Sequence, residues 1–426
     1  ILGLLLLGYV TWLVEVLQFT DFSRATLVIF LALLIGGEAW LIRRDWPDVL
    51  VFIRSKRRLL IGYELIFLAG FLFITVYRGF NPEIAGTEKP MDFALINGIL
   101  RSGQFPPKDP WMSGFSISYY YFGYYLVAIM IKLSGVKPAI GFNLALGSTF
   151  GLAATGVAAL LYNLTGHLRA GLLGAFLTLL ASNADGLLRV IHYGTLTPDT
   201  FWWWWPSSRV LHSGCGQECI DEFPQFSFML GDLHPHVMVL PIAVLALGIA
   251  LAMLKRPSPL RFARSEWLTL LVVPVVVGSL GFANTWDLPA YLAILLVALV
   301  ARQFVDGRLP SCHSERRAKN PPVEEVGDSS LDAQNDNVGA LTWFDWRPIA
   351  SVAAVALVAY LPFYVGFQSQ AGGFRFVQGQ TTPVEFLGMW GFPFAAALGP
   401  LAVTIRLPQR HALILAAATL VIAVGT

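Results

Sequence analysis

The chain has 426 residues, 56% of them hydrophobic and only 13% charged, and its mean hydropathy is +0.63. Soluble domains carry about a quarter charged residues, so a soluble globular protein is excluded and an integral membrane protein is indicated. The formal net charge of +2 gives no footing for nucleic-acid binding; what informs is where Lys and Arg fall between the apolar runs.

Runs close to the roughly 20 apolar residues that cross a hydrocarbon core as helix fall at 1–18, 25–42, 59–77, 119–134, 139–163, 168–182, 236–254, 267–282, 288–304, 348–366, 389–405 and 411–426. The predicted fold class is all-α, a polytopic transmembrane helical bundle with about 12 or 13 spans. Ile1 opens inside an apolar run and Thr426 closes inside another, which reads as a fragment of a longer protein.

Basic clusters orient the bundle. The segment Arg43–Arg58 carries six Lys/Arg and is expected on the cytoplasmic side, which sends residues 78–118 outside as a first large loop. Four Lys/Arg between Lys255 and Glu266 mark the inner side again, so residues 194–235 form a second outer loop and GFANTWDLP lies outside too. Residues 306–346, rich in Pro, Ser and charge, read as a flexible cytoplasmic loop. They divide a transmembrane module at 1–305 from further transmembrane helices at 347–426, the last of them truncated. One conflict arises: three spans counted from the first basic cluster leave Asn183 inside, while the second cluster wants 206–235 outside. A short or re-entrant helix around Gly186 to Tyr193 is the predicted remedy.

This topology gathers Glu88, Asp92, Asp109, Glu222, Asp232, His234, His236 and Asp287 on one face. Ionisable groups at a bilayer edge are costly and mark functional sites by default. Pro90 suits the first position of a helix and would place Asp92 in its first turn. Asp92 could equally cap a surface helix, and Asp232 could cap the helix that starts at His234–Pro235. In the functional reading Asp92, Asp232 and His234 hold a divalent metal or a phosphate-bearing ligand. The run FWWWWP, 201–206, suits an aromatic belt at the headgroup level or a stacking platform for a sugar or lipid. Cys215 and Cys219 lie close enough in sequence to pair, with His212 beside them as a less favoured zinc ligand.

The stretch MDFALINGILRSGQFPPKDPWMSGFSISYYYFGYYLVAIMIKLSG, with Tyr119, Tyr120 and Tyr121, resembles an uncharacterised family of prokaryotic integral membrane proteins known for that tyrosine triplet. WWWWPSSRV, DEFPQFSFMLGDLHPHVMVLP and GFANTWDLPAY extend the resemblance over most of the chain, and no activity comes with it. A more distant resemblance is to the first outer loop of lipid-linked-sugar glycosyltransferases of the GT-C class. In the protein mannosyltransferase and aminoarabinose transferase branches an acidic residue, often Asp-Glu, opens a loop helix, and a Pro-Pro stretch precedes the next span. Asp92 and Pro106-Pro107 match by order; Phe93 replaces the second acid, for which Glu88 is the nearest substitute.

That similarity implies a GT-C-like bundle in the plasma membrane with an extracytoplasmic active face, membrane lipid around it and a polyprenyl-phosphate-linked sugar as donor. Asp92, with Glu88, would be the general base of an inverting transfer. Lys89, Arg209 and Arg375 would offset charge on the leaving phosphate, and Tyr119, Tyr120, Tyr121, Asp232, His234, His236 and Asp287 would line the substrate site. The competing expectations are a lipid or polymer transporter and a non-catalytic assembly partner in envelope biosynthesis.

Overall fold

A computed structural model describes residues 1–183, 185, 205–213, 219–304, 344–368, 380–391 and 393–394. Arg375, Cys215, the crossing expected around Gly186 to Tyr193, the loop at 306–343 and the apolar run at 411–426 lie outside them. The described residues are helical with no strand, only a single bridge between Lys108 and Ser116. In chain order α1 is Leu2–Val16, α2 Arg24–Ile42, α3 Trp46–Phe80, α4 Lys89–Arg101, α5 Phe122–Ser134, α6 Pro138–Thr165 and α7 Leu168–Leu179. After them come α8 Pro224–Leu230, α9 Pro235–Leu254, α10 Trp267–Ala283, α11 Asp287–Phe304, α12 Arg347–Val358 and α13 Leu361–Gly366. Six helices among the described residues are long and apolar enough to cross a membrane: α2, α3, α6, α9, α10 with its preceding turn, and α11. The protein is thus a multi-pass membrane bundle.

The segment Arg43–Arg58, expected on the cytoplasmic side between two spans, is helical from Trp46 onward because Pro47 starts a helix and nothing after it stops one. At 1.5 Å per residue, the 35 residues of α3 reach roughly 50 Å, well past a hydrocarbon core of about 30 Å. The basic half of α3 therefore projects beyond the apolar layer while Arg78 ends the helix at the opposite, site-bearing end.

Glycines let α3 and α6 run antiparallel in close contact. A Cβ on Gly151 would lie 2.7 Å from the Phe67 carbonyl oxygen, and one on Gly147 would lie 2.9 Å from that of Phe71. Small residues of this kind are how membrane helices bring backbones together when lipid is as apolar as leucine. α7 folds back on α6 in the same way, with Gly171 against the Ala158 backbone.

The apolar run at 119–134 is not a crossing. α5 has 13 residues, about 20 Å of helix, and both of its ends touch the site-bearing end of the bundle. Tyr124 in its first turn bonds Asp92 of α4, and Lys132 in its last turn donates to the Phe22 carbonyl at 2.7 Å and the Leu100 carbonyl at 3.4 Å. α5 lies along α4 and is buried over most of its surface. Consequently α6 starts at that same end, where Asn143 accepts from Arg78 Nε at 2.9 Å. It finishes at the basic end, where the Asn163 carbonyl accepts from Lys255 Nζ at 2.6 Å. α7 returns, and Asn183 Nδ2 donates to the Ser207 carbonyl at 2.6 Å. Asn183 and Ser207 thus lie together, and the predicted re-entrant helix falls on residues between them that lie outside the described ones.

Aromatic packing ties α1, α5, α10 and α13 together. Phe282 lies 4.9 Å from Trp12, 4.8 Å from Tyr121 and 4.3 Å from Phe363 between ring centroids, and Trp12 Nε1 donates to Tyr121 Oη at 3.1 Å.

Replacing Gly147 by Leu is expected to force α3 and α6 apart at a cost of about 1–3 kcal/mol. Thermal unfolding in detergent should show a lowered midpoint for that variant and no lowering for Gly37→Ala, where an added Cβ meets nothing within 4 Å.

Candidate functional site

The site lies where α3 ends, α4 begins and the segment between α8 and α9 crosses over them. Gly86 and Thr87, both at positive φ (+74° and +50°), turn the chain into α4, and Pro90 supplies the fixed φ of a first helical turn. Glu88 occupies the cap position without a side-chain cap bond, so its carboxylate is committed elsewhere. Asp92, one turn on, is 0% exposed.

Gly231 builds the opposing wall. It ends α8 in the left-handed region at φ +75°, and its N–H and that of Asp232 each donate to the Ser227 carbonyl at 3.0 Å. A Cβ there would collide with the Arg78 guanidinium, so both the turn and the close approach call for glycine. Leu233 then anchors in the core, and Asp232 and His234 point back toward α4 before Pro235 opens α9.

Glu88, Asp92, Asp232 and His234 converge, with Tyr119 and Tyr124 against them. His234 Nδ1 is 3.0 Å from Glu88 Oε2 and 3.3 Å from Asp92 Oδ1, while its Nε2 is 3.2 Å from Tyr119 Oη. Tyr124 Oη donates to Asp92 Oδ1 at 2.5 Å. Ligand atoms of Glu88, Asp232 and His234 all lie within 4.8 Å of one another. Burial pushes the Asp232 carboxyl up to about 8, and the charge of adjoining Asp92 adds to the effect while His234 opposes it. Burial alone would lower the His234 imidazole, but the hydrogen bond and charge of Asp92, then Glu88 and Asp232, outweigh it and raise it. Lys89 is buried, donates to the Leu230 carbonyl at 3.2 Å, and is lowered by burial and by neighbouring Arg78. Three carboxyl groups, those of Glu88, Asp92 and Asp232, share this pocket with the cations of Lys89 and Arg78 nearby, an arrangement suited to holding protons, a cation or a phosphate.

A second polar group continues from His234. The His236 ring lies 5.4 Å from that of His234, and its Nε2 is 2.9 Å from Ser227 Oγ and 3.9 Å from Glu222 Oε2. Arg209 reaches Glu222 at 3.7 Å and lies over the Trp205 ring at 4.7 Å.

Other expected site residues fall elsewhere. Of the tyrosine triplet, Tyr119 faces the site, Tyr120 stacks on it at 4.1 Å, and Tyr121 is 3% exposed inside the aromatic core. Asp287 accepts from Asn284 Nδ2 at 2.9 Å where α11 begins. Asp109 accepts the Trp111 and Met112 N–H groups, each at 2.8 Å, in a turn. Cys219 is disulfide-bonded. Sequence reasoning missed Arg78 and Tyr124. An arginine in the last turn of an apolar span was the available signal for the first; nothing distinguished Tyr124 from its tyrosine neighbours.

The family described as Uncharacterized membrane protein (DUF2298) matches residues 6–426. The chain belongs to that family. No match was found among curated proteins or among solved structures.

Tyr124→Phe is expected to remove the hydroxyl that serves buried Asp92 and to cost about 1–3 kcal/mol. Gly231→Ala should be at least as damaging, because strain and the Arg78 collision coincide. Unfolding midpoints of both variants in detergent, set against the native protein, check the pair.

Proposed function

We propose that the protein is a membrane glycosyltransferase that moves a sugar from a polyprenyl-phosphate donor to an acceptor hydroxyl, with inversion, at the extracytoplasmic face of the plasma membrane. The observation that carries this reading is the convergence of Asp92, Asp232 and His234 at one end of the bundle, closed by helices and reached past Glu88, whose side chain is 60% exposed. The order of elements supports it as well. A span (α3) ends at the site, a helix with Asp92 in its first turn follows, then the Pro106-Pro107 stretch, in the order of the first loop of the GT-C enzymes that the sequence resembles; the order departs at α5, which stands where the resemblance expects a span and does not cross. The basic residues of α3 and those between α9 and α10 sit at the far end, which supports the orientation.

In the reaction proposed, His234 turns aside and the acceptor hydroxyl approaches Asp92, which takes its proton. The acceptor oxygen forms a bond to the anomeric carbon from the face opposite the phosphate. The carbon–oxygen bond to phosphate breaks, and its electron pair leaves with the polyprenyl phosphate. Lys89 and Arg78, both set against the turn at Leu230 and Gly231, offset the charge that grows on the leaving group.

Proteoliposomes holding the native protein should transfer labelled sugar from at least one of a panel of polyprenyl-phosphate donors. Asp92→Asn, which keeps the shape and removes the base, should lose roughly 100-fold or more. Equal activity in the variant, or no transfer and no donor binding by the native protein, would overturn the proposal.

A further inference from the structure

We propose that Glu88, Asp232 and His234 form a site for one divalent cation, Mn2+ or Zn2+. Three potential ligand atoms, one from each residue, lie within 4.8 Å of one another, brought together from the N-terminus of α4 and the segment before α9, 144 residues apart for Glu88 and Asp232 by subtraction of their numbers. Ligands around such an ion stand about 3.3 Å apart, given bonds of roughly 2.0–2.2 Å. The group must therefore close slightly, and Glu88, exposed and without a cap bond, is the side chain able to move.

An independent observation points to a ligand. Asp92 Oδ2 and Asp232 Oδ1 are buried oxygens that no N–H or hydroxyl of another residue reaches, in adjoining carboxyl groups of residues only 0% and 5% exposed. A buried carboxylate oxygen without a partner carries a full desolvation cost, and a cation held between these walls would relieve it. The histidine is arranged to serve as a ligand as well. Its Nε2 is engaged by Tyr119 Oη, which leaves Nδ1 facing Glu88 and Asp92. Metal-binding histidines are characteristically fixed through their other ring nitrogen in this way. Imidazole combined with carboxylates favours Mn2+ or Zn2+ over Mg2+ and Ca2+, which prefer oxygen alone.

The site has a consequence for its neighbour. Nδ1 has one position to give, so a cation there takes His234 away from Asp92 Oδ1 and leaves that oxygen for another partner. In the transferase reading, metal binding would release the base.

Calorimetric titration of the full chain in detergent with Mn2+ or Zn2+ alone tests the site without any sugar donor, so that it fails or stands separately from the transfer reaction. The native protein should bind about one ion per chain. His234→Ala should abolish binding, and Glu88→Gln, at an exposed position, should weaken it at least 10-fold, since even outer partners of metal ligands matter by about 10–100-fold. Asp109→Asn, in a remote turn, should bind as the native protein does. No binding by the native protein, native-like binding by Glu88→Gln, or tighter binding of Mg2+ or Ca2+ than of Mn2+ and Zn2+ would each overturn the proposal. Glu88→Gln decides the matter if His234→Ala does not fold.

Discussion

A carboxylate with no access to water has to find its partners inside the protein, and Asp92 is that carboxylate. Its needs join elements that sequence places far apart: Tyr124 from α5, His234 from the segment before α9, and Asp232 against it. Burying an ionised group alone is prohibitive, whereas a hydrogen-bonded one is tolerated. The convergence of these groups is therefore a condition of α4 lying where it does. Arg78 and Lys89 stand behind the same walls and keep the pocket from being purely acidic.

The bundle that presents this site depends on backbone proximity more than on side-chain bulk. Gly147 and Gly151 let α6 run down α3, Gly171 lets α7 run back up α6, and Gly231 lets the guanidinium of Arg78 pass beneath a turn. With that frame in place, α5 begins and ends at the site-bearing end and becomes the buried floor beneath α4. A second acid shows the same solution one residue along: Glu15, 0% exposed, accepts from Tyr125 Oη at 2.8 Å. Adjacent tyrosines of α5, about 100° apart around the helix, thus serve acids from two different elements.

Much of the site was legible because its parts are locally marked. GTEKPMDF holds a turn glycine, a helix-starting proline and acids in a setting of oil, and GDLHPHV holds the same ingredients with two histidines. Both stand out because polar residues are rare at the edge of spans. Tyr124 and Arg78 did not stand out, since a tyrosine among tyrosines and an arginine at a span end have ordinary uses. The tyrosine triplet was read as one feature and is three: a site residue, a stacking partner and a core residue, since consecutive residues entering a helix face different ways.

That this is an all-helical, multi-pass membrane protein, where its apolar runs lie, and that acids gather near the helix mouths all follow from the amino-acid order, because hydrophobic length and local helix signals act within a few residues. Which runs cross, and which side chains meet, is set by the folded bundle. α5 is an apolar helix of 13 residues, and what distinguishes it from a span is whether its ends touch one side of the bundle or both. The meeting of Glu88, Asp92, Asp232 and His234 likewise rests on how closely α3, α6 and the turn at Gly231 approach, a matter of three-dimensional packing that no local pattern encodes.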